Sequence, residues 1–219
     1  MIFHENVSDE DRKKIEKALA DIKKFGDGFH NQTAEFIEEN EIVIYVDSAE
    51  RVGGSGSVQL NDPRAARRAV AGRNLEVGSA ARYVRLNLAR ETIDAGGQQG
   101  IEGTFVHEGK HARDFALMLS TFSKGIEEKV FNPTAFQREY SAHLTAAFYL
   151  LRRGESYVKE GISLGILYDN GQTIMVNRKG IRSRLKNNYG LTKATPGDLL
   201  NTCSSPRIRL PRKKFLGIF

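Results

Sequence analysis

Apolar residues recur at helical spacing in two long stretches of the chain. From Ile101 to Ser120 they occupy several helical faces rather than one narrow stripe, and they include Phe105, Val106, Phe115 and Leu119. This pattern is typical of a helix that is buried over most of its surface. A second helical pattern runs from Thr134 to about Arg153 and follows Pro133, a residue type favoured where helices begin.

Shorter segments with other patterns surround these two helices. They are, in chain order, a helix that starts at Ser8, a strand over Glu41–Asp47, a turn-rich loop over Gly53–Pro63, a short helix over Arg64–Ala71, a strand over Tyr83–Leu88, a hairpin over Gly161–Val176 and a basic helix over Arg178–Asn188. The order predicts an α+β fold, with a small mixed or antiparallel sheet packed on the two long helices and a C-terminal hairpin.

The length and composition predict one domain with a packed core. The chain has 219 residues, of which 40% are hydrophobic, and we expect a core over about residues 40–176 and a basic extension over 178–219. Neither a transmembrane run nor an ordinary signal peptide is predicted, so we expect a cytoplasmic protein or one delivered by a specialised secretion system. The single cysteine, Cys203, excludes an internal disulfide and a Cys-based zinc cluster.

Positive charge is concentrated at the C-terminal end. Residues 178–219 contain eleven Lys or Arg against one acid, Asp198, although the net charge of the whole chain is only +6. A basic segment of this kind can bind nucleic acid, anionic lipid or an acidic partner. Its basic residues alternate with apolar residues and prolines, which is also typical of an ordinary solvated surface.

Residues 107–111 have the sequence His-Glu-Gly-Lys-His, the HExxH pattern. Because residues four apart lie on one face of a helix, His107 and His111 can direct ring nitrogens at one metal ion. Glu108 is turned about a quarter of a circle away, where its carboxylate can reach a water bound to that metal. Two imidazoles and a carboxylate at this spacing suit zinc-assisted hydrolysis, so the motif predicts one Zn²⁺ per chain.

A third zinc ligand must come from outside the motif helix, because a catalytic zinc ion usually has three protein ligands. Glu139 is the first candidate, since it lies on the next predicted helix, 28 residues after His111. His143 is the alternative, because it lies four residues after Glu139 and faces the same way. It could be a ligand, a hydrogen-bond partner of a ligand or a donor to the oxyanion. Glu127 and Glu128 are weaker candidates in a predicted loop.

Further polar side chains could support this site. Asp114 lies on the same helical face as the two motif histidines, where it could accept a hydrogen bond from one of them and fix its tautomer. A salt bridge from Asp114 to Arg113 or Arg138 is an equal alternative. Three tyrosines could each donate a hydrogen bond to an oxyanion: Tyr140, Tyr149 and Tyr157.

These residues resemble the zincin metallopeptidases, and their gluzincin branch in particular. His107, Glu108 and His111 match the HExxH motif of the family, and Glu139 fits the glutamate ligand of that branch. The string Gly-Thr-Phe-Val-His-Glu-Gly-Lys-His-Ala-Arg-Asp over 103–114 is similar to metallopeptidase domains of bacterial polymorphic toxins and related secreted effectors. The resemblance covers about residues 83–153. It departs from the branch at His143, where many members have an acid.

The resemblance implies a zincin-like fold and the hydrolysis of peptide bonds. The implied zinc ligands are His107, His111 and Glu139. Glu108 is the implied general base, and His143 or Tyr140 is the implied donor to the oxyanion. The implied partners are a protein or peptide substrate and an immunity or inhibitor protein. We expect the Tyr83–Leu88 strand to be a sheet edge that pairs with an extended substrate.

A rival interpretation is a non-catalytic or regulatory zinc protein, whose basic C-terminal region binds nucleic acid or an acidic partner. Glu108 separates the two interpretations. A purely structural zinc site needs no base beside an open coordination position, whereas a hydrolase does. The presence of Glu108 in the motif therefore favours catalysis.

Overall fold

The computed structural model describes residues 1–72, 74–125, 133–193 and 195. Its helical segments are α1 (Asp9–Phe25), α2 (Gly28–Glu39), α3 (Ala49–Val52), α4 (Pro63–Ala71), α5 (Val77–Ala81), α6 (Arg90–Asp94), α7 (Gly97–Ser123), α8 (Ala135–Arg153), α9 (Glu155–Ser163) and α10 (Arg178–Asn187). Its strands are β1 (Ile2–Phe3), β2 (Val43–Asp47), β3 (Gly56–Leu60), β4 (Val84–Ala89), β5 (Leu167–Asp169) and β6 (Ile174–Val176). The predicted α+β class is confirmed.

Four strands form a small mixed sheet in the order β1-β2-β4-β3. The strands β1, β2 and β4 are parallel, and β3 runs antiparallel to β4 with Val58 opposite Leu86. Three residues of the two central strands, Ile44, Leu86 and Leu88, are fully buried. Because β4 lies between β2 and β3, the expectation that Tyr83–Leu88 is a sheet edge is wrong. The edge strand on that side is β3, within the segment predicted to be a loop.

Helix α7 lies at the centre of the molecule and packs against the sheet, α1, α2, α5 and α8. Its buried apolar residues lie on several faces, as the pattern over 101–120 predicts, and the helix extends a few residues further at each end. Gly109 allows α2 to approach closely, since a Cβ at this position would lie 2.8 Å from Thr33 Cγ2. The packing of α7 thus fixes the position of the HExxH motif.

Helix α8 begins as the sequence predicts. Thr134 accepts a hydrogen bond from the backbone N–H of Gln137, and the Gln137 side chain accepts one from the backbone N–H of Thr134. This reciprocal cap satisfies two donors that the helix itself leaves unpaired. Arg153 is the last residue of the helix, and α8 packs along α7.

A buried carboxylate connects α7 to α8 and α9. Glu102 is completely buried and accepts hydrogen bonds from the hydroxyls of Tyr149 and Tyr157. It also accepts two from the Arg153 guanidinium, at 2.8 and 3.0 Å. Arg153 also forms an ion pair with Asp21 at 3.2 Å, which extends this network to α1. Tyr149 and Tyr157 are therefore structural residues of the core.

The core reaches beyond the expected range of residues 40–176 at both ends. It includes Val7 and Ile15 near the N-terminus and Ile181 and Leu185 on α10. Residues 1–40 contribute because α1 and α2 both pack on α7. The predicted C-terminal hairpin and basic helix are confirmed as β5–β6 and α10.

Several expectations concern residues outside the described ranges. They are those for Glu127 and Glu128, for Cys203 and for the basic segment over 196–219. Within the part of the chain that the structure describes, no helix combines the length and the apolar character needed to cross a membrane.

Candidate metal centre

The packing of α7 against α8 brings the predicted ligand residues together. His107 and His111 lie one turn apart on α7, and Glu139 lies in the early part of α8. The carboxylate of Glu139 faces both rings, with Oε2 3.3 Å from His107 Nε2 and Oε1 3.2 Å from His111 Nε2. The two Nε2 atoms are 3.3 Å apart.

These separations match the donor spacing of a tetrahedral metal site. Zinc bonds to nitrogen and oxygen ligands are about 2.0–2.2 Å long, which places tetrahedral ligand atoms roughly 3.3–3.6 Å from one another. The two Nε2 atoms and the carboxylate of Glu139, which faces each ring with a different oxygen, are therefore spaced closely enough to share one ion.

His143 provides the alternative ligand set that the sequence left open. Its ring centroid lies 4.5 Å from that of His107. The candidate ligand atoms of His107, Glu139 and His143 all lie within 4.8 Å of one another, so this cluster could also hold a metal ion. This limit is wider than the donor separation of a tetrahedral site. His143 Nε2 is buried and has no hydrogen-bond partner among the described residues.

The charge states of these groups suit a cation. Burial opposes the ionised form of Glu139, but hydrogen bonds from His107 and His111 outweigh it and hold the pKa of this carboxyl well below its ordinary value. Burial also lowers the pKa of His111, but contact with Glu139 outweighs it, so the pKa is raised. For His143, burial and the neighbouring His107 ring lower the pKa to about 3. A divalent ion would replace the protons that this cluster otherwise attracts.

Glu108 lies beside the cluster rather than in it, as expected for a group one residue after His107. Its Oε1 is 4.0 Å from His107 Nε2. The stem of Glu108 packs under the edge strand, where a Cβ on Gly56 would lie 2.8 Å from Glu108 Cγ and 2.5 Å from Thr104 Cγ2. The missing side chain at Gly56 thus allows β3 to lie directly over the motif helix.

A cavity of about 490 Å³ opens over the cluster. One wall is the segment over 53–58, which includes the start of β3, and another is formed by α7 and α8. Its lining includes Glu108 and the candidate metal ligands, together with Arg138, Arg184 and Tyr189. Arg184 and Tyr189 were not among the site residues predicted from the sequence. The two lie far from the motif in sequence and reach the site because α10 packs on α8.

The structure places two other predicted residues away from the reacting groups. Asp114 forms an ion pair with Lys110, one turn earlier on α7. His111 Nδ1 has no hydrogen-bond partner in the described part of the chain, so Asp114 does not fix its tautomer here. Tyr140 stacks on Phe136 and lies outside the cavity lining. Tyr189 is the tyrosine that approaches the cluster, with its ring 5.6 Å from that of His143.

Comparison of the chain with protein-family models, with curated proteins and with solved structures finds no match. The functional interpretation therefore depends on the geometry and chemistry of the site itself.

Proposed function

We propose that this protein is a zinc-dependent hydrolase that cleaves peptide bonds. The observation that supports this most directly is the spacing of the His107, His111 and Glu139 donor atoms, 3.2–3.3 Å apart, at the wall of an open cavity beside Glu108. Two nitrogens and one oxygen with an open side are the donor set of catalytic zinc sites. Glu139 is the third ligand in this proposal, and His143 remains free for another role.

Glu108 is the general base of the proposed reaction. When bound, zinc supplies a water whose pKa is lowered toward neutrality and which can attack a carbonyl. The Glu108 carboxylate lies close enough to the cluster to take the proton of that water and then to pass it to the leaving amine. The Glu108 stem packs against the backbone of β3 at Gly56, which limits the directions that its carboxylate can take.

His143 and Tyr189 are the donors to the oxyanion in this proposal. Both line the cavity on the α8–α10 side, and their rings meet edge to face. Burial, and then the charge of Glu139, raises the pKa of Tyr189, which keeps its hydroxyl protonated as a donor. In this proposal Tyr189, rather than the Tyr140 expected from the sequence, is the tyrosine that donates a hydrogen bond to the oxyanion.

A peptide substrate is supported by the edge of β3. The strand pairs with β4 on one side, and the adjoining 53–58 segment forms a wall of the cavity. An extended peptide could add to this edge through backbone hydrogen bonds, which would hold the scissile bond over the metal cluster. In this proposal the strand that pairs with the substrate is β3 (Gly56–Leu60), instead of the Tyr83–Leu88 strand expected from the sequence.

The test compares the purified wild-type protein with Glu108→Gln, in zinc content and in turnover of a broad set of unstructured fluorogenic peptides. We expect about one zinc per chain in both proteins and a loss of about a hundredfold or more in turnover in the variant. Glu160→Gln is the matched control, because Glu160 lines the same cavity but is not a member of the candidate ligand cluster. Absence of bound zinc, or full turnover by Glu108→Gln, would refute the proposal.

A further inference from the structure

Arg184 directs a positive charge at the wall of the cavity from α10. The helix packs through the buried Ile181 and Leu185, and the intervening Arg184 lines the cavity next to Tyr189 and His143. The guanidinium therefore belongs to the lining of the same cavity as the candidate metal ligands.

The hydrogen-bonding capacity of Arg184 is largely unused. A guanidinium has five N–H donors arranged in a planar fork. One terminal nitrogen donates to the backbone oxygen of Leu164 at 3.3 Å, and the guanidinium also interacts with the Tyr189 hydroxyl, whereas Nε is buried and has no hydrogen-bond partner in the described part of the chain. Among the described residues, no carboxylate forms an ion pair with it. Arg153, by contrast, is held by both Glu102 and Asp21.

A partly buried guanidinium without an anion is costly, because its lost hydration is not replaced. A ligand carboxylate could compensate for the lost hydration through two parallel charge-assisted hydrogen bonds, the geometry for which the guanidinium of arginine is best suited. Arg138 adds a second positive charge to the lining of the same cavity.

We propose that Arg184 forms a carboxylate-binding subsite, so that the cavity prefers peptides with a carboxylate close to the scissile bond. This inference rests on the proposed peptide-hydrolase function of the same site. The carboxylate can come from a free C-terminus or from an Asp or Glu side chain, since the two present the same oxygens to the guanidinium.

The test measures the binding of three dye-labelled pentapeptides by fluorescence anisotropy, with zinc-loaded Glu108→Gln protein so that turnover does not interfere. The peptides share a neutral sequence of alanine and phenylalanine. One ends in a free carboxylate, one ends in a carboxamide, and one ends in a carboxamide but carries a glutamate in place of one alanine. We expect at least one of the two carboxylate peptides to bind about tenfold or more tightly than the neutral amide.

The same measurement is repeated after Arg184→Gln and Arg184→Lys in the Glu108→Gln background. We expect Arg184→Gln to abolish the preference and Arg184→Lys to retain part of it, because lysine keeps the charge but loses the planar fork. Lys186→Gln is the matched control, since it removes one positive charge from an exposed position on the same helix and should leave the preference intact. Unfolding curves identify any variant that does not fold.

The outcomes separate this inference from the proposed function. Tighter binding of the peptide with the free C-terminus identifies a C-terminus as the source of the carboxylate. Tighter binding of the glutamate peptide identifies an acidic side chain as that source. Equal affinity for all three peptides overturns the subsite even without the Arg184 variants, and so does a preference that survives Arg184→Gln. If the protein with Glu108 intact cleaves none of the peptides while the Arg184-dependent preference persists, the hydrolase proposal fails and the subsite stands.

Discussion

Glu139 and His143 lie one turn apart on α8, and both face the histidines of α7. Glu139 places Oε2 3.3 Å from His107 Nε2 and Oε1 3.2 Å from His111 Nε2, whereas the candidate ligand atoms of His107, Glu139 and His143 lie within the wider limit of 4.8 Å of one another. The Nε2 atom of His143 is buried and has no hydrogen-bond partner among the described residues, so it can meet a bound substrate.

This assignment predicts unequal effects of two substitutions on zinc affinity. Glu139→Gln should lower zinc affinity by about a hundredfold or more, because even loss of an outer partner of a zinc ligand costs roughly ten- to a hundredfold. His143→Gln should change the affinity by less than about tenfold while it lowers turnover. Competition with a chromophoric chelator measures both affinities.

Glu160→Gln again serves as the control for removal of a carboxylate from the cavity. If His143→Gln weakens zinc binding as strongly as Glu139→Gln does, the ligand set is His107, His143 and Glu139 or a four-residue site. If neither substitution weakens it, the three-ligand site itself is wrong.

At the scale of elements, α7 and α8 must keep a fixed separation for the donor atoms to stay 3.2–3.3 Å apart. The Glu102 network is the polar contact that fixes it, because the carboxylate on α7 binds Tyr149 and Arg153 on α8 and Tyr157 on α9. It lies on the same side of α7 as α8 and is shielded from water. The network therefore helps to position the candidate metal ligands without contacting them.

We expect Glu102→Gln to lower the free energy of unfolding by about 3 kcal/mol, because it leaves the Arg153 charge with only part of its compensation. This decrease in the free energy of unfolding is near the lower end of the range observed when one partner of a buried ion pair is removed, since Asp21 still contacts Arg153. Chemical denaturation measures the change. Glu155→Gln is the control, because its ion pair with Lys159 is exposed and contributes little. A Glu102→Gln protein as stable as wild type would contradict this role.

The elements differ in how far their own sequence determined them. Helices α7 and α8 were predicted within a few residues, because dense apolar periodicity and the Thr134 cap are local features.

Strand β3 was not predicted, since Gly56 and its polar neighbours become a strand only by pairing with β4, nearly thirty residues later. Helix α2 was not predicted; it begins at Gly28, a residue type that is more common after the end of a helix than at its start. Local patterns thus predicted His107, Glu108, His111 and Glu139, whereas Arg184, Tyr189 and the β3 edge depend on tertiary packing.

In the molecule as a whole, the candidate metal centre lies between two helices that already have a continuous core around them. Fully buried apolar residues extend from Ile15 on α1 to Leu185 on α10, with Phe105 between them on the motif helix. Chains that need a metal ion to fold are usually much shorter, below about 40 residues, because they cannot bury enough apolar surface. We therefore expect metal to stabilise a fold that exists without it.

This expectation predicts that the metal-free protein keeps its helical circular dichroism and unfolds cooperatively, and that zinc raises its stability. At a free zinc concentration of about 100 times Kd, linkage gives about 2.7 kcal/mol, because zinc binds the folded state. For a chain of this size the unfolding midpoint should rise by roughly 5–10 °C. In His107→Ala the rise should disappear while the metal-free midpoint stays close to that of wild type. A metal-free protein that lacks helical structure would instead identify the zinc as structural, and the open cavity beside Glu108 would then need another explanation.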